Sequence, residues 1–282
     1  MDPRVLNGID ALPDLIPGVR SQLERGRGGM MTVPAYGGGT VRTEFEVLTG
    51  MPMQAFPSVE YPYVDMSRSF IPGLASVLRE RGYSTAAVHG NSGAFWNRTN
   101  TYAAMGIDRF VTGSEFRDKA AIDGGWYSDK AMTDFIFQEL DRNQGPSFVF
   151  AISIENHGPY DKALPVLDRQ AWEELQLPHT LEGDSALSMR NYLYHLGNAD
   201  REFVRLVEGM QQRDRPFVVA FFGDHLPALG EAYGALEFVD GGSPESQQVP
   251  WVIVSGQGDE ALEVAQGSIR SWQLPAEVLD AA

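Results

Sequence analysis

"RPFVVAFFGDHLPALG", residues 215–230, is apolar from Phe217 to Phe222 and then turns at once to Gly223, Asp224 and His225. An unbroken apolar run of this length reads as a strand buried on both faces, typical of a mostly parallel sheet covered by helices. In such sheets ligands gather where the strands end. Two further runs share the pattern. "STAAVHG" (84–90) closes on His89, and "PSFVFAISIENHGPY" (146–160) turns polar at Glu155, Asn156 and His157. "VPWVIVSG" (249–256) is a fourth apolar strand.

Helical patterns lie between the strands. "SRSFIPGLASVLRERGY" (67–83) spaces Phe70, Leu74, Val77 and Leu78 for a helix, and "SDKAMTDFIFQELDRN" (128–143) is amphipathic, with Ser128 placed as N-cap. "NYLYHLGNADREFVRLVEGMQQR" (191–213) reads as a long helix. The alternation predicts one α/β domain over residues 1–282, with helices on both faces of the sheet. The opening "MDPRVLNGIDALPDLIPG" reads as loop.

With 282 residues, 43% of them hydrophobic, the chain has ample core material and is not disordered. A formal net charge of −16 argues against nucleic acid as a partner. There is no cysteine, which removes disulfides, thiolate metal sites and cysteine nucleophiles. No run approaches the roughly 20 apolar residues of a membrane span, and no signal peptide opens the chain, so the sequence alone predicts a soluble chain.

A carboxylate and an imidazole at one strand end suit Zn²⁺ or Mn²⁺; the alternative is that Asp224 caps the following turn beside an incidental histidine. His157 is either a donor to an anionic oxygen, a ligand, or a loop histidine. In "HGNSGAFWNR" (89–98), Arg98 offers a fork for phosphate or sulfate and Trp96 a flat wall, unless Trp96 only packs in the core. His89 ends its strand beside this loop. "VPAYGGGTVRTEFEVLTG" (33–50) sets three glycines before Thr40 and a helix. Thr40 is either a plain helix N-cap or, beside a metal at Asp224 and His225, an activated nucleophile at a site suited to a tetrahedral anion. Thr43 is its rival, about a turn into the helix.

Together, "GGGTVRTEFEVLTG", "HGNSGAFWNR", "SIENHGPY", "NADREFVRLV" and "FFGDHLP", in that order, resemble the lipoteichoic acid synthase and phosphoglycerol transferase branch of the alkaline phosphatase/sulfatase superfamily. The resemblance spans roughly residues 36–256. It implies an alkaline phosphatase-like three-layer sandwich, lacking its first strand here. It implies a metal-dependent enzyme of the cell envelope in which Thr40 takes phosphoglycerol from a phosphatidylglycerol-type lipid. The group then passes to a glycan, polyol or glycerophosphate acceptor.

By the same resemblance Thr40, Asp224 and His225 hold one divalent metal, Mn²⁺ first and Zn²⁺ or Mg²⁺ next, while Trp96, Arg98, His157 and His89 line the headgroup pocket. It places the domain on the periplasmic or extracellular side of the cytoplasmic membrane, anchored by a membrane region. The family's first strand, which ends in the glutamate that is its remaining metal ligand, has no counterpart here: either the chain is a fragment or mis-started reading frame, or that strand and ligand are lost. Sulfatases of the superfamily use a formylglycine made from Cys or Ser, whereas a threonine stands at that position here. The alternatives are a phosphoethanolamine transferase or phosphodiesterase sharing the same core, and a catalytically dead module that binds anionic headgroups or glycans.

Overall fold

The computed structural model describes residues 1–9, 12–25, 27–66, 70–256 and 267–282. In chain order its strands are β1 (Arg27–Thr32), β2 (Ser84–His89), β3 (Arg109–Val111), β4 (Ile122–Asp123), β5 (Trp126–Tyr127), β6 (Ser147–Ile152), β7 (Val218–Phe222), β8 (Val249–Ser255) and β9 (Ile269–Arg270). The helices are α1 (Pro17–Arg25), α2 (Thr40–Thr49), α3 (Pro62–Asp65), α4 (Leu74–Glu80), α5 (Arg98–Ala104), α6 (Gly113–Phe116), α7 (Asp129–Asp141), α8 (Arg169–Glu174), α9 (Gly183–Gln211), α10 (Glu231–Leu236) and α11 (Leu274–Ala281). The α/β class expected from the sequence is what the chain adopts. It divides into two compact units, one of residues 39–155 and 271–275, the other of residues 1–38, 156–270 and 276–282.

The first unit is built on a parallel sheet in the order β3-β2-β6. Ala87 pairs with Phe110 on one side and Phe150 on the other, and the Tyr102 ring of α5 meets both phenylalanines edge-on. A small residue on the central strand leaves room for that ring. Parallel pairing carries β2 and β6 to the same edge, where His89 is opposite Ile152. α7 starts as its sequence predicts: the Ser128 hydroxyl accepts the Ala131 N–H.

α2 runs through this unit buried on nearly every side, with Val41, Thr43, Phe45, Val47 and Leu48 packed alongside two carboxylates, Glu44 and Glu46. A helix buried all round must pair its charges internally. Glu46 does so by accepting the Met53 N–H at 2.6 Å and the Ser271 hydroxyl.

The second unit holds the sheet β7-β8-β1-β9. Here β8 runs antiparallel to both β7 and β1, while β1 and β9 are parallel. An apolar run predicts burial, not direction, and β8 is fully buried from Val249 to Ile253. α1 and α9 cover one face: Ile16, Val19, Phe203 and Val207 pack on Val252, with Val219, Phe221 and Val254 beside them. β1 is a strand its sequence does not announce, because two of its six residues are glycine. Close packing is the reason, since a Cβ on Gly29 would lie 2.2 Å from the Gly267 carbonyl oxygen.

Two helices differ in extent from their sequence patterns. The helix expected over 67–83 begins only at Leu74, behind Gly73 and Pro72, and Phe70 is exposed. Residues 67–69 of that stretch lie outside the described residues. The helix expected over 191–213 starts eight residues earlier and is 29 residues long. Among the described residues no helix is long and apolar enough to cross a membrane.

Candidate active site

Three consecutive residues, Gly37, Gly38 and Gly39, have positive φ of 66°, 150° and 75°. L side chains rarely adopt these values, so the glycines are required by backbone conformation. Crowding is not the cause at Gly38, where an added Cβ would meet nothing within 4 Å. The turn delivers the chain into α2 with Gly39 as N-cap, so Thr40 is the first helical residue. Thr40 is half-buried at the positive end of a ten-residue helix, whereas its rival Thr43 is completely buried.

The loop after β2 carries the other residues of the first unit. His89 is buried, and its Nδ1 donates to the Ile152 carbonyl at 3.0 Å. Trp96 and Asn97 both sit in the left-handed region, at φ 56° and 59°. Two successive non-glycine residues there cost about 1–3 kcal/mol each, and such strain collects at functional sites. Three contacts hold it: the Trp96 ring stacks on Tyr61 at 4.3 Å, Asn97 Nδ2 donates to the Tyr63 carbonyl, and Thr99 N–H donates to Gly93. Phe95, 49% exposed, meets Trp96 edge-on.

Arg98 follows, 2% exposed, with its guanidinium on Glu44 of α2. Burial opposes its charge, but the Glu44 carboxylate more than offsets this and holds the guanidinium above its ordinary pKa. Its partner Glu44 is invisible to sequence reading, because nothing local links a helix residue to one 54 positions later. This unit also buries Asp123 and Glu155, which offer carboxylate oxygens within 4.8 Å of each other; Glu155 accepts the Asp129 N–H at 2.6 Å.

In the second unit, Asp224 and His225 leave the end of β7 as expected. His225 Nε2 is 3.2 Å from Asp224 Oδ2, and its Nδ1 is 2.8 Å from the Leu226 carbonyl. A carbonyl oxygen only accepts, so Nδ1 donates to Leu226, while Nε2 lies against the Asp224 carboxylate. The donor set, one oxygen and one nitrogen, fits a divalent metal. The Asp224 charge is felt nearby: burial first, and Asp224 second, raise the Tyr160 hydroxyl's pKa.

The same loop anchors the glycine turn, since the Gly37 N–H donates to the Leu226 carbonyl at 2.9 Å. His157 is exposed, with Nδ1 donating to its neighbour's carbonyl, Gly158 O. The expected site residues thus fall into two sets, Thr40, His89, Trp96 and Arg98 in one unit and His157, Asp224 and His225 in the other.

The sulfatase family model matches residues 10–282. A Rhizobium meliloti (strain 1021) protein named for cyclic beta-1,2-glucan modification is 32% identical over 240 residues, 85% of this chain and 36% of that protein. The chain spans about a third of the length of the curated relatives it matches. Two solved structures share the fold. The Streptococcus pyogenes phosphoglycerol transferase GacH, in complex with sn-glycerol-1-phosphate, has a TM-score of 0.78 at 22% identity, over 98% of this chain and 72% of that one. The lipoteichoic acid synthase LtaP from Listeria monocytogenes has a TM-score of 0.73 at 19% identity, over 95% and 66%.

Proposed function

The chain belongs to the sulfatase family, and from that premise we propose that it is the catalytic domain of a metal-dependent phosphoglycerol transferase with Thr40 as nucleophile. The observation that carries the reading is the placement of Thr40. It is half-exposed at the positive end of α2, directly after three glycines of positive φ that leave its approach free of side chains.

Thr40 Oγ attacks the phosphorus of a phosphatidylglycerol-type diester. A new Oγ–P bond forms, the P–O bond to diacylglycerol breaks, and the threonine proton leaves with the diacylglycerol hydroxyl. An acceptor hydroxyl, on a glycan, a polyol or a growing glycerophosphate chain, then attacks phosphorus and returns Thr40 to its starting form. Backbone N–H groups at the start of α2 stabilise the phosphoryl oxygens as their charge grows. Arg98 and His157 contact the anionic headgroup, Trp96 walls the glycerol, and His89 supports the pocket from the end of β2.

Asp224, His225 and Thr40 would hold the metal, Mn²⁺ in this branch of the family. When bound, it supplies positive charge beside the reacting oxygens and makes the threonine hydroxyl easier to ionise. The relatives' envelope substrates fit a periplasmic or extracellular location for the domain.

The test is to incubate the protein with phosphatidylglycerol bearing a fluorescent acyl chain, in Mn²⁺, and to follow diacylglycerol release. Release that depends on Thr40 supports the reading. Release from phosphatidylethanolamine in place of phosphatidylglycerol would make the protein a phosphoethanolamine transferase instead.

A further inference from the structure

Glu44 lies four residues beyond Thr40 on α2, one turn along the same face, and helical side chains lean back toward the N-terminus. Its carboxylate is 1% exposed and closes a network inside the first unit. Arg98 donates from Nη2 to Oε1 at 2.5 Å and from Nε to both oxygens at 3.2 Å, and the Tyr102 hydroxyl donates to Oε2 at 2.7 Å. Two of the three guanidinium nitrogens are thereby committed. The third, Nη1, is buried and has no hydrogen-bond partner among the described residues.

Buried N–H groups on a cation are costly to leave without an acceptor. Trp96 and Asn97, immediately before Arg98, hold strained backbone that fixes where α5 starts. The geometry points to Glu44 as a positioning residue: it takes Nε and Nη2, so that Arg98 offers Nη1 alone to one anionic oxygen of the substrate. This inference rests on the transferase reading and deepens it, because that reading assigns Glu44 nothing. A planar fork docked on a carboxylate has a fixed direction for its remaining nitrogen, which a free arginine side chain lacks.

The experiment measures KM and kcat with fluorescent phosphatidylglycerol, and the Kd of glycerol phosphate and of inorganic phosphate by calorimetry. The variants are Glu44→Gln, Glu44→Asp, Tyr102→Phe, Arg98→Lys and the double Glu44→Gln/Arg98→Lys. Glu44→Gln is expected to weaken both ligands and raise KM about tenfold, with a smaller change in kcat. Glu44→Asp recovers part of the loss, and the double variant binds no worse than Arg98→Lys alone. Loss for glycerol phosphate but not inorganic phosphate would place the Nη1 contact on the glycerol and overturn the anionic-oxygen assignment.

Tyr102→Phe keeps the ion pair and removes one hydrogen bond, so it decides the matter if Glu44→Gln does not fold. Binding about threefold weaker is then expected. Wild-type affinity in Glu44→Gln or Tyr102→Phe, or full additivity in the double variant, overturns the positioning role while Thr40 keeps its own. If Arg98→Lys and Thr40→Ala both turn over at wild-type rates, the transferase reading itself falls and takes this inference with it.

Discussion

Asp200 and Val19 are 181 residues apart in the chain and 2.8 Å apart in space, where the Asp200 carboxylate accepts the Val19 N–H. Its second oxygen accepts the Gly18 N–H at 2.9 Å. The first turn of a helix has donors with no partner inside the helix, and for α1 those donors are met from α9. The "NADREFVRLV" stretch therefore does packing work: Asp200 caps α1 while Phe203 and Val207 bury its apolar face. Asp200→Ala should destabilise the protein by about 1–3 kcal/mol, read from the denaturant midpoint. Asp200→Asn, which keeps one acceptor, should lose less.

The same carboxyl sets a pH dependence. Burial raises its pKa above the ordinary carboxylate value, and the two amide donors only partly oppose this. The native state therefore keeps this proton to a higher pH than the unfolded chain does. Its contribution is complete below the ordinary carboxylate pKa and is lost as pH rises through the native one. The wild-type minus Asp200→Asn difference in unfolding free energy should accordingly fall as pH is raised through that window. A flat difference would show that Asp200 titrates alike in both states.

Gly38 offers a sharper probe of the turn before Thr40. Its φ of 150° is accessible to glycine almost alone, yet an added methyl would meet nothing. Gly38→Ala should thus cost about 1–3 kcal/mol through backbone strain alone, and should lower kcat as α2 shifts. Gly39→Ala, at φ 75°, should cost less, about 1 kcal/mol. Equal stability of both variants with wild type would mean that the turn relaxes freely.

Much of the molecule is legible in its sequence because burial writes a strong pattern. β2, β6, β7 and β8 coincide with apolar runs, though β7 is only half-buried along its whole length, not enclosed on both faces, and Ser128 caps α7 where its residue type says it should. Strand direction is not written there, since β8 is as apolar in an antiparallel setting as it would be in a parallel one. β1 is hidden because its glycines serve contact with a neighbouring backbone and carry no side-chain signal. Among the candidate residues, Asp224, His225 and Thr40 stand out as polar residues at element ends. Glu44 does not, because a glutamate in "TEFEVL" looks like a solvated helix face until a distant arginine is folded onto it.

Metal binding has its own readout. If Asp224 and His225 bind Mn²⁺ only in the folded state, millimolar Mn²⁺ should raise the melting temperature, by about 2.7 kcal/mol of stabilisation at a hundredfold excess over Kd. Chelation should reverse the shift. Asp224→Asn should abolish it without lowering the metal-free melting temperature appreciably, since the Asp224 side chain is 38% exposed. An unchanged melting curve in Mn²⁺ would favour a module that binds anionic headgroups without turning them over.

The nucleophile assignment separates from mere helix stability at Thr40 and Thr43. Thr40 is half-exposed, and Gly39 already fills the N-cap position, so Thr40→Ala should leave the melting temperature close to wild type. Turnover should nevertheless fall about 10³-fold or more, as it does when a covalent nucleophile is removed. Thr40→Ser keeps an attacking oxygen and should retain measurable turnover. Thr43→Val makes the opposite case: Thr43 is fully buried, so stability should drop while the protein that remains folded keeps its kcat. A stable Thr40→Ala protein that still releases diacylglycerol at the wild-type rate would remove Thr40 from the chemistry. Loss of kcat in folded Thr43→Val would point to the buried hydroxyl instead.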